Sequence, residues 1–379
     1  MAPATPIPLS RPSYDEREIS RIQEALHGRT AGDGPFCQRV ERRLQAQLGV
    51  PRVLLTTSCT HALELALMAL GLRDGQEVIV PSFTFVSTAN AVLRAGARLV
   101  LADIEEETLG LDPADVEDRL TTRTAALLPV HYAGIAAQMG PLLEIATRRG
   151  LRIIEDAAQG IGAAWRGRPL GALGDAGCLS FHDTKNLSCG EGGALALQDE
   201  ETARRAEIIR EKGTNRSAFL RGEVDKYTWV AEGSSYVLSD LLAAILDAQL
   251  DKQQDLVARR GVIAVRYRQE LSDWAGSRGV RLCPEPRERV LNYHIFYLRL
   301  PDAVAQQRCL ESLKARGIGA AFHYVPLHSS PFGRSLGLEG GRFPASERVA
   351  STLVRLPMHA ELSDPDVERV IHAVRDSLD

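Results

Sequence analysis

Lys185 is the residue from which the chemistry of this chain can be argued. It stands in the stretch Cys178–Ala194, after a short apolar run, beside the hydroxyl of Thr184 and ahead of a glycine run. Loops that follow buried strands are where α/β proteins place their functional groups. Burial in such a loop would lower the pKa of the lysine amine and make it a usable nucleophile. A solvated surface lysine remains the simpler interpretation unless other residues agree.

Three other stretches place polar or aromatic residues after apolar runs. Ser58, Cys59 and Thr60 precede a helical pattern, where hydroxyls and first-turn amides could bind a phosphate. Phe85 follows the next apolar run, and Asp156 ends a later one, with Gln159 shortly after it. Taken one at a time, these stretches are better explained as a helix cap, a core aromatic and an internal salt bridge.

The combination points to one cofactor. A phosphate site, an aromatic ring, a buried carboxylate and a lysine are the complements of the phosphate, ring face, ring nitrogen and aldehyde of pyridoxal phosphate. NAD is disfavoured, because the Gly160-Ile161-Gly162 sequence lacks the third glycine of a dinucleotide-binding turn and its early position in the chain. The sequence therefore predicts a pyridoxal phosphate site organised around Lys185.

The elements that must position these residues follow an α/β pattern. Helical patterns such as His61–Leu70, Ser87–Arg94 and Met139–Arg149 separate most of the short apolar runs. This alternation is typical of a wound, mainly parallel sheet covered by helices. The seven predicted strands are Val53–Thr57, Glu77–Val80, Arg98–Asp103, Ala125–Val130, Leu151–Asp156, Gly177–Phe181 and Ala194–Leu197.

A smaller domain is predicted at the carboxyl end. Ser239–Glu270 is rich in Ala, Leu and Gln at helical spacing and predicts one long helix that bridges two domains. The run Tyr293–Leu300 and the helices Ala303–Arg316 and Asp364–Leu378 indicate a small α+β domain. We expect a large cofactor-binding domain over residues 1–250 and a small domain over residues 251–379.

Composition excludes several classes of function. The net charge of -4 offers no field for polyanions, so nucleic acid is not a favoured partner. Six cysteines without a C-x-x-C pair, and histidines without an H-E-x-x-H pattern, argue for free thiols and against a zinc site. No segment approaches the roughly 20 apolar residues that cross a bilayer. The proline-rich start at 1–11 does not resemble a signal peptide, and we expect a cytoplasmic protein.

The motifs also carry a family resemblance that covers nearly the whole chain. TTSCTHALELA, PSFTFVSTANA, VHYAG, EDAAQG, SFHDTKN and EGGA resemble the sugar-nucleotide aminotransferases of the DegT/DnrJ type, which have the fold type I of aspartate aminotransferase. The run REKGTNRSAFLRGEVDKYTW, continuing to GSSYVLSD, is similar to the narrower WecE-like branch. That branch comprises dTDP-4-keto-6-deoxy-D-glucose transaminases.

The resemblance implies roles position by position. Lys185 matches the Schiff-base lysine, Asp156 the partner of the pyridine nitrogen, and Gln159 the residue near the ring hydroxyl. Phe85 matches the aromatic ring that stacks on the cofactor. The matching phosphate-binding positions are Ser58, Cys59, Thr60 and Ser180, with Cys59 in place of the usual glycine. Ser235 replaces the asparagine of a segment that reaches the phosphate of the neighbouring subunit, so that contact is in doubt or is made by the hydroxyl.

The resemblance further implies the partners. We expect a homodimer with shared active sites, a nucleotide sugar substrate and L-glutamate as the amino donor. A basic, aromatic stretch could grip the nucleotide diphosphate and stack on its base, or could be a solvated loop; it contains Lys212, Asn215, Arg216, Arg221, Lys226, Tyr227 and Trp229. His323, Tyr324 and His328 match the sugar-side segment, although each histidine could be structural.

Other functions on this scaffold stay open. The acceptor could carry a ketone at C3 instead of C4. Sugar 3-dehydratases of the family have histidine at the position of Lys185, so the lysine argues against dehydration. A regulatory protein that keeps the pocket as a sensor would lack the lysine or carry an appended DNA-binding domain, and neither feature is seen in the sequence.

Overall fold

A seven-stranded sheet forms the centre of the protein, which is described over residues 5–378 by a computed structural model. Its strand order is β1-β9-β8-β5-β4-β2-β3. The strands of this sheet are β1 (Arg52–Thr56), β2 (Glu77–Pro81), β3 (Arg98–Ala102), β4 (Thr124–Leu127), β5 (Arg152–Asp156), β8 (Ala176–Ser180) and β9 (Gly193–Leu197). The first and last residues of each strand lie within three residues of the predicted bounds, so the prediction of seven strands is confirmed.

The direction of the strands brings the predicted site residues to one edge. β5 pairs in parallel with both β4 and β8, and β2 pairs in parallel with both β3 and β4. β9 alone runs antiparallel to its neighbours β8 and β1. The carboxyl ends of six strands therefore meet at the same edge, which is where open α/β sheets bind ligands. The prediction of a mainly parallel sheet, as in enzymes of fold type I, is therefore confirmed.

Two small sheets accompany the central one. β10, β12 and β13 form an antiparallel sheet near the carboxyl end, and β11 joins the hairpin of β6 and β7. Their bounds are β6 (Ala164–Trp165), β7 (Arg168–Pro169), β10 (Arg281–Leu282), β11 (Arg289–Val290), β12 (Phe296–Arg299) and β13 (Leu353–Leu356). Residues of the carboxyl-terminal sheet pack in a hydrophobic cluster that also includes Phe83 and Tyr132 of the large sheet's loops.

The helices cover the sheets and begin at recognisable signals. Ser58, Asp199 and Ser239, for example, each accept a hydrogen bond from a first-turn amide of the helix that follows. The helices are α1 (Glu16–Leu26), α2 (Pro35–Leu48), α3 (Cys59–Ala69), α4 (Val86–Arg94), α5 (Pro113–Arg119), α6 (Met139–Arg149), α7 (Glu200–Arg210), α8 (Arg216–Leu220), α9 (Asp240–Asp251), α10 (Gln253–Ser277), α11 (Ala303–Ala315), α12 (Pro331–Ser335), α13 (Pro344–Ala350) and α14 (Asp364–Asp376).

The prediction of one helix over Ser239–Glu270 is wrong. The chain forms two helices, α9 and α10, with Lys252 between them. The buried ammonium group of Lys252 bonds Asp15 Oδ2 at 3.1 Å and Glu18 Oε1 at 2.8 Å. Both partners belong to the amino-terminal segment, so the helical spacing around Lys252 carried no signal of the break.

Two sequence expectations concern the ends and the surface of the chain. Residues 1–4 of the proline-rich start lie outside the part of the chain that the structure describes. None of the helices between residues 5 and 378 is long and apolar enough to cross a membrane. The boundary between a large and a small domain near residue 250 stays a proposal.

Candidate active site

A cavity of about 520 Å³ opens at the carboxyl edge of the central sheet. This volume is in the range of small-molecule sites. Its walls come from the loops after β1, β2, β5 and β8, and from the segment 322–325 and β13 of the carboxyl-terminal part. Ten predicted site residues line it, namely Ser58, Cys59, Thr60, Phe85, Asp156, Gln159, Ser180, Lys185, His323 and Tyr324.

The amino terminus of α3 forms one wall of the cavity. Ser58 Oγ accepts from the amide of His61 at 3.1 Å and begins the helix. Thr60 Oγ1 lies 2.8 Å from the hydroxyl of Ser87. First-turn amides have no partner inside a helix, so this end can bind an anion. A Cβ on Gly193 of β9 would lie 2.4 Å from the carbonyl carbon of Ser58, so glycine is required where β9 passes this helix start.

Lys185 lies in a turn after β8. Its amide donates to the carbonyl oxygen of His182 at 2.9 Å. The next residue, Asn186, is buried and donates to the carbonyl of Asn292 at 2.8 Å, which anchors the turn. Burial lowers the pKa of the Lys185 amine, while the carboxylate of Asp156 acts in the opposite direction. A larger fraction of the amine is therefore neutral than for a solvated lysine.

The Asp156 carboxylate is fixed by two donors. Thr88 of α4 donates its hydroxyl to Asp156 Oδ2 at 2.8 Å, and the amide of Ala158 donates to Oδ1 at 3.2 Å. Thr84 Oγ1 lies 2.9 Å from Thr88 Oγ1. Because an ionised carboxylate only accepts, Thr88 must donate to it and Thr84 must donate to Thr88. This one-way chain orients a buried carboxylate toward the cavity.

A second buried carboxylate supports the same strand end. Glu155 accepts from the amides of Gly171, Leu173 and Gly174 at 2.6–2.9 Å and lies 2.9 Å from His131 Nε2. The amide of Ala137 donates to His131 Nδ1, so Nε2 carries the proton that Glu155 receives. Three of these four donors thus pin the loop after β7 to the end of β5, next to Asp156, and His131 adds a fourth from the segment after β4.

The aromatic wall consists of Phe85 and Tyr324. Their ring centroids are 6.2 Å apart, and Phe85 is 58% exposed at the cavity. Gln159 Oε1 accepts from the amide of Ala133 at 2.6 Å, and Nε2 donates to the hydroxyl of Tyr324 at 3.4 Å. Burial raises the pKa of Tyr324 to about 12, so its hydroxyl stays protonated. Phe85 and Asp156 line the same cavity, and the exposed ring of Phe85 offers it a stacking face.

His323 is held inside the wall rather than presented freely. Its Nδ1 lies 3.1 Å from the Tyr132 hydroxyl, its Nε2 contacts Arg355 Nη1, and its ring stacks on Tyr324 at 4.1 Å. Burial, with the charges of Arg355 and Lys185, lowers the pKa of His323 to about 2. The imidazole is therefore neutral.

Nine other predicted residues do not line this cavity, namely Lys212, Asn215, Arg216, Arg221, Lys226, Tyr227, Trp229, Ser235 and His328. His328 is buried against Ser82, whose hydroxyl lies 2.6 Å from Nδ1. Arg216 pairs with Glu211, and Arg221 with Glu207. Tyr227 and Trp229 are 57% and 77% exposed on the surface of the described chain.

Sequence reasoning missed several residues of the cavity and its support, and three of them are polar groups with a clear structural place. Arg355 lies in the apolar strand β13, His294 precedes β12, and Thr88 lies inside α4. His294 Nδ1 is 2.9 Å from Asn186 Oδ1, and burial lowers the pKa of this histidine well below its usual value. The one sequence signal for Thr88 was its hydroxyl, which stands inside the predicted helix at the sequence STANA. Within residues 5–378 no group of three potential metal ligands was found.

Comparison with known proteins gives consistent matches. The model of the DegT/DnrJ/EryC1/StrS aminotransferase family matches residues 12–375. The spore coat polysaccharide biosynthesis protein SpsC of Bacillus subtilis is 34% identical over 378 residues, which cover 98% of this chain and 96% of SpsC.

Two proteins of known structure are also similar to this chain over nearly its whole length. DesV of S. venezuelae is 34% identical with a TM-score of 0.88, and 98% of each chain is covered. The putative sugar aminotransferase Spr1654 of Streptococcus pneumoniae, solved in PLP and PMP forms, is 26% identical; its TM-scores are 0.91 and 0.92, with 98% of each chain covered.

Proposed function

This chain belongs to the DegT/DnrJ/EryC1/StrS aminotransferase family, and we propose that it transfers the amino group of L-glutamate to the C4 ketone of a nucleotide-linked 4-keto-6-deoxyhexose. The chain is a pyridoxal-phosphate-dependent sugar aminotransferase. Our candidate acceptor is dTDP-4-keto-6-deoxy-D-glucose, and the product is the 4-amino-4,6-dideoxy sugar. The observation that carries the proposal is the placement of Lys185, with its lowered pKa, in the same cavity as Asp156 and the start of α3.

The residues of the cavity fit pyridoxal phosphate. The first turn of α3 offers free amides and the hydroxyls of Ser58 and Thr60 to a phosphate dianion. Asp156 offers an oriented carboxylate to a protonated ring nitrogen, and Phe85 offers a ring face. Gly193 leaves room for β9 against the helix start, where a side chain would displace Ser58. These groups are the donors, acceptor and apolar surface that the cofactor requires.

When bound, pyridoxal phosphate supplies an electron sink that stabilises negative charge on the substrate carbon bearing the nitrogen. In our proposal Lys185 would hold the cofactor through its Nζ. Once freed, its amine would accept a proton from the substrate carbon and later return it, because the lowered pKa of Lys185 leaves part of the amine neutral. Lys185 is thus the nucleophile and afterwards the general base and acid.

Asp156 has an electrostatic role in this proposal. Its carboxylate keeps the ring nitrogen protonated, and Thr88 and the amide of Ala158 prevent it from turning away. Gln159 donates to the Tyr324 hydroxyl at 3.4 Å, and these two side chains would give the cofactor's ring hydroxyl polar neighbours. The rings of Phe85 and Tyr324 displace water from the reacting atoms, and electrostatic interactions are stronger in such a site.

The nucleotide part of the substrate requires residues outside this cavity. We propose that the basic, aromatic stretch of residues 212–229 binds it, with Trp229 or Tyr227 against the base. In a homodimer this exposed stretch and Ser235 would serve the cavity of the other subunit. The high exposure of Trp229 supports this arrangement, because large aromatic side chains favour burial in interfaces.

The test uses the purified, cofactor-loaded protein and visible absorption. L-glutamate should bleach the band of the lysine-bound cofactor, and dTDP-4-keto-6-deoxyglucose should restore it. If glutamate bleaches the band and this sugar fails to restore it, the transfer to a 4-keto sugar is refuted, and a 3-keto sugar nucleotide is the next acceptor to add. Lys185→Ala should lose the band and all turnover, whereas Lys314→Ala, on the exposed face of α11, should retain both.

A further inference from the structure

The wall of the cavity contains a buried histidine, His294. It precedes β12 and lines the cavity together with Lys185. Only 6% of His294 is exposed. Its backbone is engaged elsewhere, since the amide donates to Asn292 Oδ1 at 3.1 Å and the carbonyl accepts from Arg260 at 3.3 Å. The imidazole is therefore the part of His294 that faces the cavity.

The tautomer of His294 follows from its neighbour Asn186. The side-chain amide of Asn186 donates through Nδ2 to the carbonyl of Asn292 at 2.8 Å, so Oδ1 is the atom that faces His294. His294 Nδ1 lies 2.9 Å from this oxygen and must carry the proton. Burial, and then the charge of Lys185, lower the pKa of His294 well below its usual value, so the ring is neutral. Nε2 is therefore an acceptor with a lone pair.

No partner for this Nε2 was found within residues 5–378. Two other buried histidines, His131 and His328, have a partner on each nitrogen. His359 has a partner on neither, but it does not line the cavity. A buried polar atom is normally hydrogen-bonded, so an acceptor that faces a cavity is available to a ligand or to a movable group of the protein.

The backbone before His294 fixes the direction of its ring. Tyr293 has a φ of +51°, in the left-handed region that residues with a side chain rarely adopt. Asn292 holds this turn, because its Nδ2 donates to the carbonyls of Gln159 at 2.7 Å and Ile161 at 2.8 Å. Such a conformation persists where the surroundings impose it, and it is frequent at functional sites.

The amine of Lys185 is the group best placed to use the lone pair. Lys185 directly precedes Asn186, which bonds His294, so one anchored turn holds both side chains. Among the charges that lower the pKa of His294, Lys185 acts more strongly than Arg260, although Arg260 bonds the His294 carbonyl. The Lys185 amine also has no hydrogen bond within the described chain. Its flexible stem can bring this donor to the acceptor.

We propose that His294 Nε2 accepts a hydrogen bond from the amine of Lys185 whenever that amine is free of the cofactor. The proposal rests on the role of Lys185 in the proposed function. A neutral amine has a single lone pair, and an N–H bond held by His294 turns that lone pair toward a defined place in the cavity. The proton passes between the substrate carbon and Nζ, and His294 takes none. His294 is thus a positioning residue for the base.

Two amide variants separate this role from a structural one. In His294→Asn the amide lies at the position of Nδ1, so the bond to Asn186 can form while the acceptor at Nε2 is lost. In His294→Gln the amide lies at the position of Nε2, so the acceptor is retained and the bond to Asn186 is lost. His372→Asn, on the exposed face of α14, is the control.

The first measurement uses the cofactor-free protein. Formaldehyde with cyanoborohydride methylates neutral amines, and peptide mass spectrometry over a range of pH gives the pKa of Lys185. A hydrogen-bond acceptor favours the charged amine. His294→Asn should therefore lower this pKa by about 1 to 2, the scale of one hydrogen bond to a charged group. His294→Gln should keep the pKa close to that of wild type, and His372→Asn should not change it. The other titratable groups that face Lys185 and His294 are the same in all variants, namely Cys59, Asp156, Arg260, His323 and Arg355.

The donor half-reaction of the cofactor-loaded protein gives a second readout. Bleaching of the cofactor band by L-glutamate is followed in a single turnover and compared with bleaching by the α-deuterated donor. His294→Asn should slow bleaching roughly 10- to 100-fold and enlarge the isotope effect, because a misdirected base slows proton transfer. The glutamate concentration at half-saturation should change little. His294→Gln should recover most of the rate, even with a lower urea midpoint.

Three results would overturn the proposal. The first is an unchanged pKa of Lys185 in His294→Asn. The second is an equal loss of rate in the Asn and Gln variants, which would make His294 a structural residue. The third is a loss confined to the sugar half-reaction, which would make Nε2 a ligand of the sugar.

The proposed function can fail separately. If wild type is bleached by glutamate but not restored by any keto sugar, the acceptor of the proposed function falls. Methylation of the cofactor-free protein still tests His294 in that case, because it needs neither cofactor nor sugar.

Discussion

Replacing Thr88 by valine tests how the Asp156 carboxylate is held. The change keeps the shape of the side chain and removes the hydroxyl that donates to Asp156 Oδ2 at 2.8 Å. Both residues are buried, with Thr88 fully so. Hydrogen bonds to charged groups contribute about 1.5–3 kcal/mol. We therefore expect Thr88→Val to lower the free energy of unfolding by about 2 kcal/mol.

Urea unfolding of the cofactor-free protein measures this loss. A change of about 2 kcal/mol corresponds to roughly a 30-fold shift in the unfolding equilibrium, and the urea midpoint should fall with an unchanged m-value. Thr88→Ser retains the hydroxyl and is the matched control, with most of the stability restored. The cofactor should also dissociate more readily from the valine variant, on the order of tenfold, because the Asp156 carboxylate would lose the hydroxyl that fixes its orientation.

Equal urea midpoints for wild type and Thr88→Val would refute this reasoning. Such a result would mean that the Asp156 carboxylate takes no net stabilisation from the chain of hydroxyls that begins at Thr84. Equal stability with weaker cofactor binding would retain Asp156 as the partner of the ring nitrogen but would remove Thr88 as its support.

Three further changes probe the surroundings of the site. Glu155→Gln should cost about 2–4 kcal/mol, because an amide N–H would meet one of the four donors that the carboxylate accepts; an unchanged melting temperature would contradict this. Gly193→Ala should weaken cofactor binding at least tenfold, because the added methyl group would displace Ser58. Gly276→Ala on α10 is the control: its methyl group meets open space, so cofactor binding should not change. Equal cofactor affinities in the two variants would contradict this prediction. Burial and the neighbouring Asp33 raise the pKa of Glu211 to about 7. The stability that the protonated side chain of Glu211 contributes is therefore complete below pH 4.5 and is lost as the pH rises through 7. Glu211→Gln should therefore melt higher than wild type at pH 8, with a smaller difference at pH 5; a difference independent of pH would count against it.

Most of the fold could be predicted from the sequence, because its strands are short apolar runs between turn signals. Strands of a parallel sheet are buried on both faces, and their apolar composition indicates this burial. The helix break at Lys252 was not predictable in this way, because Asp15 and Glu18, whose carboxylates bind Lys252 at the break, reach it only in the folded chain.

The site was predictable where residues follow strand ends. Lys185 and Asp156 come together because parallel strands end at one edge of the sheet. Arg355 gave no signal, since one arginine in a strand is ordinary. That its Nε has no hydrogen-bond partner within residues 5–378 is a property of the fold. His323 and His328 are close in sequence, yet the turn Leu327–Ser329 sends His328 to Ser82, away from the cavity.

The most direct test of the account locates the cofactor on the chain. Sodium borohydride fixes the bond between pyridoxal phosphate and a lysine amine, and peptide mass spectrometry then identifies the modified residue. The chain has only five lysines, at positions 185, 212, 226, 252 and 314. The account predicts that the cofactor mass appears on the peptide with Lys185 and that L-glutamate added beforehand removes it. Cofactor mass on another lysine, or none on Lys185, would contradict the assignment of this cavity as the active site.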